Sequence, residues 1–119
     1  MGRTTIPIQI TGRLAANANI TFTAADGANN HEFDNSSEKV ILFLKNTNGS
    51  THVVNIKRPA TIDGATLADL SLTVPATTGF MVVGPFPKGI YNQTGDKVYV
   101  DVPAAPTSLS LGLLKLGTL

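Results

Sequence analysis

The apolar positions of this chain fall into short runs and period-two alternations, and no window carries a helical 3.6-residue period. Val40-Ile41-Leu42-Phe43-Leu44 is the longest unbroken run, bounded on both sides by polar turn formers. A run this short, of β-branched, aromatic and leucine side chains, predicts a strand covered on both faces. Asn48-Gly49 then offers the two positive-φ residues of a type I′ turn. His52-Val53-Val54-Asn55-Ile56 is expected to return beside the first strand as a hairpin, stopped by Pro59. A hairpin alone is marginal in water, so further strands have to cover it.

The remaining segments supply them. At the N-terminus Ile6, Ile8 and Ile10 alternate with Thr5, Pro7 and Gln9. Pro7 cannot donate to a ladder, which predicts an edge strand or an extended arm. Residues 12–19 (GRLAANAN) are small and polar, a tether by composition. Residues 20–23 read as a short strand, and residues 24–39 as an irregular surface loop with Phe33 as its anchor. Asp63-Gly64 marks a turn; Leu70, Leu72 and Val74 form a half-buried strand ending at Pro75. Residues 80–83 (FMVV) are a second buried run, and Val98, Val100 and Val102 share one face after the turn at residues 94–97. In the last segment Leu109, Leu111 and Leu113 share a face while Leu114 and Leu116 fall on the other. That change of phase beside Gly112 predicts a β-bulge or a strand that changes neighbours. Seven or eight short strands at this spacing predict an all-β fold: an antiparallel β-sandwich or jelly roll over residues 20–119, with an N-terminal arm and tether over residues 1–19. A barrel is the runner-up.

Composition narrows the function more than it names one. The 119 residues are enough for one domain with its own core. A net charge of +1 with 14% charged residues and no charge run argues against a nucleic-acid or anionic-membrane surface. No apolar stretch is long enough to span a bilayer, and residues 1–5 lead into no signal-peptide core. Ile6 stands where a myristoylation signal wants Ser or Thr. There is no cysteine, hence no disulfide and no thiolate metal site. The Asn-x-Ser/Thr triplets at Asn19, Asn35, Asn48 and Asn92 read as turn and strand chemistry rather than glycan sites.

Catalytic and metal chemistry find no matched set. His52 is expected as a solvent-facing strand residue and His31 as a polar loop residue, neither with a third ligand or carboxylate at a fixed spacing. Asp26, Asn29, Glu32 and Asp34 cluster, but lack the order of a calcium loop. Ser36-Ser37 has no assigned base; Asp63, Asp69, Asp96 and Asp101 make no pair across a cleft; Gly84 and Gly89 open no phosphate-binding helix. The expectation is a non-enzyme without cofactor or metal.

Several segments, in order, carry a resemblance: residues 22–33 (FTAADGANNHEF), 40–46 (VILFLKN), 72–75 (LTVP), 84–87 (GPFP), 98–100 (VYV) and 113–116 (LLKL). Over residues 20–116 the chain resembles the small structural proteins of tailed bacteriophages found as capsid decoration, or cement, proteins. The resemblance implies a sandwich on the outer surface of the virion, made in the host cytoplasm, bound to the major capsid protein. It also implies a homo-oligomer about a symmetry axis, a trimer being favoured.

The arm is then the candidate for contact. An alternating Ile6-Ile8-Ile10 face on a tether can add as a strand to a neighbour's sheet edge, flanked by Arg3 and Arg13 for an acidic shell surface. The other possibility is that the arm is the first edge strand of its own sandwich. A reading from a different class is a carbohydrate-binding or adhesion module of a fibre or tail. Against it, the chain has no Trp, and Tyr91 and Tyr99 are its only tyrosines.

Overall fold

The computed structural model describes residues 2–11 and 20–116. Among them the elements are, in chain order, β1 (Thr4–Thr5), β2 (Ile8–Thr11), β3 (Thr23–Ala24), β4 (His31–Asp34), β5 (Val40–Asn46), β6 (His52–Ile56), β7 (Thr61–Ile62), β8 (Ala65–Thr66), β9 (Leu70–Val74), β10 (Gly79–Val83), one helical turn α1 (Lys88–Tyr91), β11 (Lys97–Asp101) and β12 (Leu109–Leu116). Two sheets form a sandwich. The first runs β1-β4-β11-β6-β9 and the second β10-β5-β12-β2, with β3 also paired to β12. β7 and β8 form a separate exposed hairpin whose turn, Asp63-Gly64, has positive φ at both residues (51° and 80°), as type I′ geometry requires.

Period-two alternation builds the core. Val40, Leu42 and Leu44 of β5 and Leu109, Leu111 and Leu113 of β12 are at most 2% exposed, and face Phe33, Val54, Ile56, Val74, Val98 and Val100 of the first sheet, all at 0%. The all-β sandwich expected from the pattern is the fold. Two strands depart from the antiparallel expectation: β1 pairs with β4, and β2 with β12, in parallel.

The central hairpin does not form. β5 pairs with β10 and β12 in the second sheet, whereas β6 pairs with β11 and β9 in the first. Residues 47–51 cross between the sheets, and neither Asn48 nor Gly49 has a positive φ. Buried Asn46 organises the crossing. Its Nδ2 donates to the Ser50 and Pro75 carbonyls, each at 3.0 Å, and its Oδ1 accepts the Asn48 N–H at 3.0 Å. These bonds satisfy the turning backbone without a positive-φ turn.

Two further expectations are corrected, and one is decided between its alternatives. The loop at residues 24–39 contains β4, a paired strand of the first sheet, concealed because its inward positions are His31 and Phe33. β10 is an edge strand rather than a buried run, with Phe80 54% and Val82 59% exposed. β12 has no bulge: its register with β5 runs unbroken from Leu109↔Asn46 to Lys115↔Val40. The other alternative holds: its second neighbour changes at Gly112, from β3 to β2. A Cβ on Gly112 would lie 2.7 Å from Ile20 Cγ2 and 3.3 Å from the Phe22 ring, so glycine lets that segment cross the sheet.

Of the two possibilities for residues 2–11, a contact arm or the first edge strand of the chain's own sandwich, the structure takes the second: they are edge strands of the sandwich itself. Pro7 sits where the chain leaves β1 on one sheet for β2 on the other, and needs no ladder hydrogen bond there. Ile6 points between the sheets and is 1% exposed. The tether at residues 12–19 lies outside the described residues.

Candidate interaction surface

Most outward alternates of the second sheet are apolar, with Lys45, Ser110 and Gln9 among them as polar positions. Phe80 and Val82 of β10, Ile41 and Phe43 of β5, and Leu114 and Leu116 of β12 stand on one face. Val82 pairs across strands with Phe43, and Ile41 with Leu114. The Phe43 and Phe80 rings stack at 5.8 Å, and Phe22, laid over Gly112, meets Phe80 edge-on at 6.3 Å. Such aromatic contacts add about 0.5–1.5 kcal/mol each beyond area burial, so the cluster is a pre-ordered platform. Lys45, opposite Phe80 in the ladder, holds its ammonium 5.5 Å from the Phe22 ring centroid. Beside the cluster, a shallow groove of about 410 Å³ is lined by Phe22, Lys45, Thr47, Pro106, Ser108 and Ser110, among others.

The outer face of the first sheet has the opposite character. Glu32, Asp34, Asn55, Ser71, Thr73, Lys97, Tyr99 and Asp101 occupy its outward positions, with Val53 as an isolated apolar residue. An ion-pair chain crosses it: Arg3 Nη1 to Asp101 Oδ1 at 2.6 Å, Lys57 Nζ to Asp101 Oδ2 at 3.3 Å and to Asp69 Oδ2 at 3.2 Å. The molecule therefore presents one face crossed by ion pairs and one dominated by apolar side chains, of which Phe80, Val82 and Leu116 are exposed and Ile41, Phe43 and Leu114 half-buried. Exposed apolar patches are surfaces at which proteins commonly bind partners.

The residues singled out on the arm are not brought together. Arg3 also donates to the His31 carbonyl at 3.2 Å and lies 4.1 Å over the Tyr99 ring, tying β1 to the first sheet. Ile6 is in the core, Ile8 is half-buried against it, and Ile10 is 60% exposed at the far edge of the second sheet. Arg13 lies outside the described residues. The pattern pointed to one face because alternation assumes a single strand; Pro7 divides this one between two sheets. Residues 40–44 and 80–83 predict strands covered on both faces; the structure instead leaves their outward alternates as the apolar platform. Their unbroken apolar runs were nonetheless its signal.

Both histidines are structural. His52 is 8% exposed, not solvent-facing, with Nε2 2.8 Å from the Thr107 carbonyl. His31 is fully buried and its Nε2 accepts the Asp26 N–H at 2.8 Å, which makes the ring neutral with the proton on Nδ1. Asp26 in turn accepts from Thr4 Oγ1 at 2.6 Å, from Asn29 Nδ2 at 3.0 Å and from the Ala28 and Asn29 N–H groups. This cluster fastens β1 to the turn before β4. Among the described residues no three His, Cys, Asp or Glu side chains stand together as a metal site.

Burial holds the His31 pKa below its usual 6.5, the Thr4 backbone and the Asp26 charge opposing it and Arg3 adding to it. Its hydrogen bonds, that from Thr4 foremost, pull the Asp26 carboxyl from 3.8 down to about 2. Both are depressed in the folded state, so the unfolded chain binds more protons as pH falls and stability falls with it. The melting temperature is expected to decline below pH 6.5 through His31, and again between 3.8 and about 2 through Asp26. A His31→Gln variant, less stable overall, should lose the first decline and keep the second. Superimposable wild-type and variant slopes below pH 6.5 would show that His31 is not its source.

The chain matches no protein-family model, no curated protein and no solved structure.

Proposed function

We propose that this chain is a virion decoration protein: a non-enzymatic β-sandwich that binds the outer capsid surface of a tailed bacteriophage and stabilises the shell. The observation that carries the reading is the two-sidedness of the sandwich, with the apolar face of Phe43, Phe80, Val82 and Leu114 opposite a face crossed by the Arg3–Asp101–Lys57–Asp69 ion pairs. A protein laid on a shell needs such a division, one side to exclude water against the major capsid protein and one to meet solvent. The ordered segments resembling decoration proteins point the same way.

The mechanism is mass action. A ligand that binds the assembled shell and not its dispersed subunits stabilises it by its binding free energy, repeated over every symmetric site. No bond is made or broken, and no cofactor is needed.

The groove lined by Phe22, Lys45, Thr47, Ser108 and Ser110 supports a second reading, an adhesion module of a fibre or tail that holds a sugar against an aromatic ring. Copy number separates the two. Quantitative mass spectrometry of purified particles should find close to one copy per major capsid protein for a decoration protein. A few copies per particle would favour the fibre or tail reading, and absence from the particle would overturn both.

A further inference from the structure

We propose that β10 is a homodimerisation edge, at which two copies of this chain pair antiparallel about a two-fold axis through Met81. The inference rests on the sandwich alone and stands whether or not the capsid reading does.

Among the described residues β10 pairs only with β5, so alternate N–H and C=O groups along Gly79–Val83 face outward without a strand partner. Proteins usually guard such an edge with a charge, a proline, a bulge or very short length. β10 uses none of these: its five residues, Gly-Phe-Met-Val-Val, carry no charge and no proline, and its register with β5 is continuous from Gly79↔Asn46 to Val83↔Leu42. The other outer edges differ. β1 is two residues long; β2 pairs with a segment of β12 that includes Lys115; β9 presents Ser71 and Thr73 outward.

A second copy fits this edge because the edge is complementary to itself. Antiparallel pairing centred on Met81 sets Phe80 of one copy opposite Val82 of the other, two side chains already exposed on the same face. No like charges meet across the axis, since the nearest charge on that face, Lys45, stands one strand back on β5. The contact is isologous, the form most homodimers take. It also joins two aromatic platforms into one apolar surface, leaving both outer faces free. The seam is narrow: a five-residue strand is about 17 Å long, and it buries less than the roughly 800 Å² per partner of a standard stable interface. The dimer should therefore be reversible and concentration-dependent.

Light scattering or sedimentation of the purified chain over a concentration series tests this. The wild type should move from monomer to dimer mass. Val82→Lys, an exposed position where lysine guards the edge, should weaken dimerisation at least about tenfold, while Val53→Lys on the charged face should leave it unchanged. Monomer at every concentration, a trimer, or a Val82→Lys variant that dimerises like the wild type would each overturn the proposal. Hydrogen exchange on the wild type gives a reading without any variant: β10 amides should exchange more slowly at high protein concentration, and unchanged exchange would overturn it.

Discussion

Replacing Ile6 with alanine is expected to destabilise the sandwich by about 2–5 kcal/mol, the usual cost of truncating a sealed aliphatic side chain to Ala. Ile6 is 1% exposed and stands where β1 leaves the first sheet and β2 joins the second. Few contacts replace it, because Pro7 fixes the chain on one side and the parallel pairing of Thr4–Thr5 with His31–Glu32 fixes it on the other. For a domain of this size the loss corresponds to a melting temperature lower by roughly 10–20 °C. Urea unfolding should show the midpoint falling with little change in slope. Deleting residues 1–11 should cost more, since it also removes the Arg3–Asp101 ion pair and both parallel ladders. An Ile6→Ala midpoint equal to that of the wild type would mean that the segment is a detachable arm after all.

Phe33→Ala carries the largest expected single effect, about 3–5 kcal/mol. Phe33 is fully buried, its ring 5.5 Å from Phe86, and Phe86 meets Tyr91 of α1 at 5.2 Å. The same region is held by buried Asn35, whose Nδ2 donates to the Phe86 carbonyl at 2.8 Å and to Asn92 Oδ1 at 2.7 Å. The cavity left by Phe33 should therefore loosen the connection from β10 through α1 to β11. A Phe33→Ala, Phe86→Ala double variant should lose less than the sum of the two single losses, because each truncation already spoils the other's packing. Strict additivity in chemical denaturation would contradict that coupling.

How much of this was legible follows from what alternation can encode. Val98, Val100 and Val102, and Leu70, Leu72 and Val74, showed their strands and inward faces directly, because each obeys period two within one element. The relation between β5 and β6 was not legible. A strand pair with one buried face each looks the same in sequence whether it folds as a hairpin or crosses between facing sheets, and the deciding group was a buried polar residue, Asn46. β4 was concealed by His31, a polar side chain at an inward position that tertiary packing accepts. The parallel pairing of the N-terminal strands is long-range and leaves no local signal. At the candidate surface, the apolar runs were visible but their covering was not. Phe22, Phe43 and Phe80 lie on three strands or flanks far apart in the chain, and only the change of neighbours at Gly112 brings Phe22 over the sheet.

Under the proposed function, the apolar face of the second sheet seats this protein on a capsid. Co-sedimentation of the purified chain with undecorated tailed-bacteriophage shells, from the phage proposed to encode it, tests this most directly, comparing the wild type with Phe43→Ser and Val53→Ser. Phe43 lies in the middle of the apolar face, off the β10 edge, and Val53 is on the opposite, charged face. The account predicts saturable binding by the wild type and by Val53→Ser, and binding weakened at least about tenfold, ~1.4 kcal/mol, for Phe43→Ser. Failure of the wild type to bind, or loss of binding in Val53→Ser with Phe43→Ser unaffected, would contradict it.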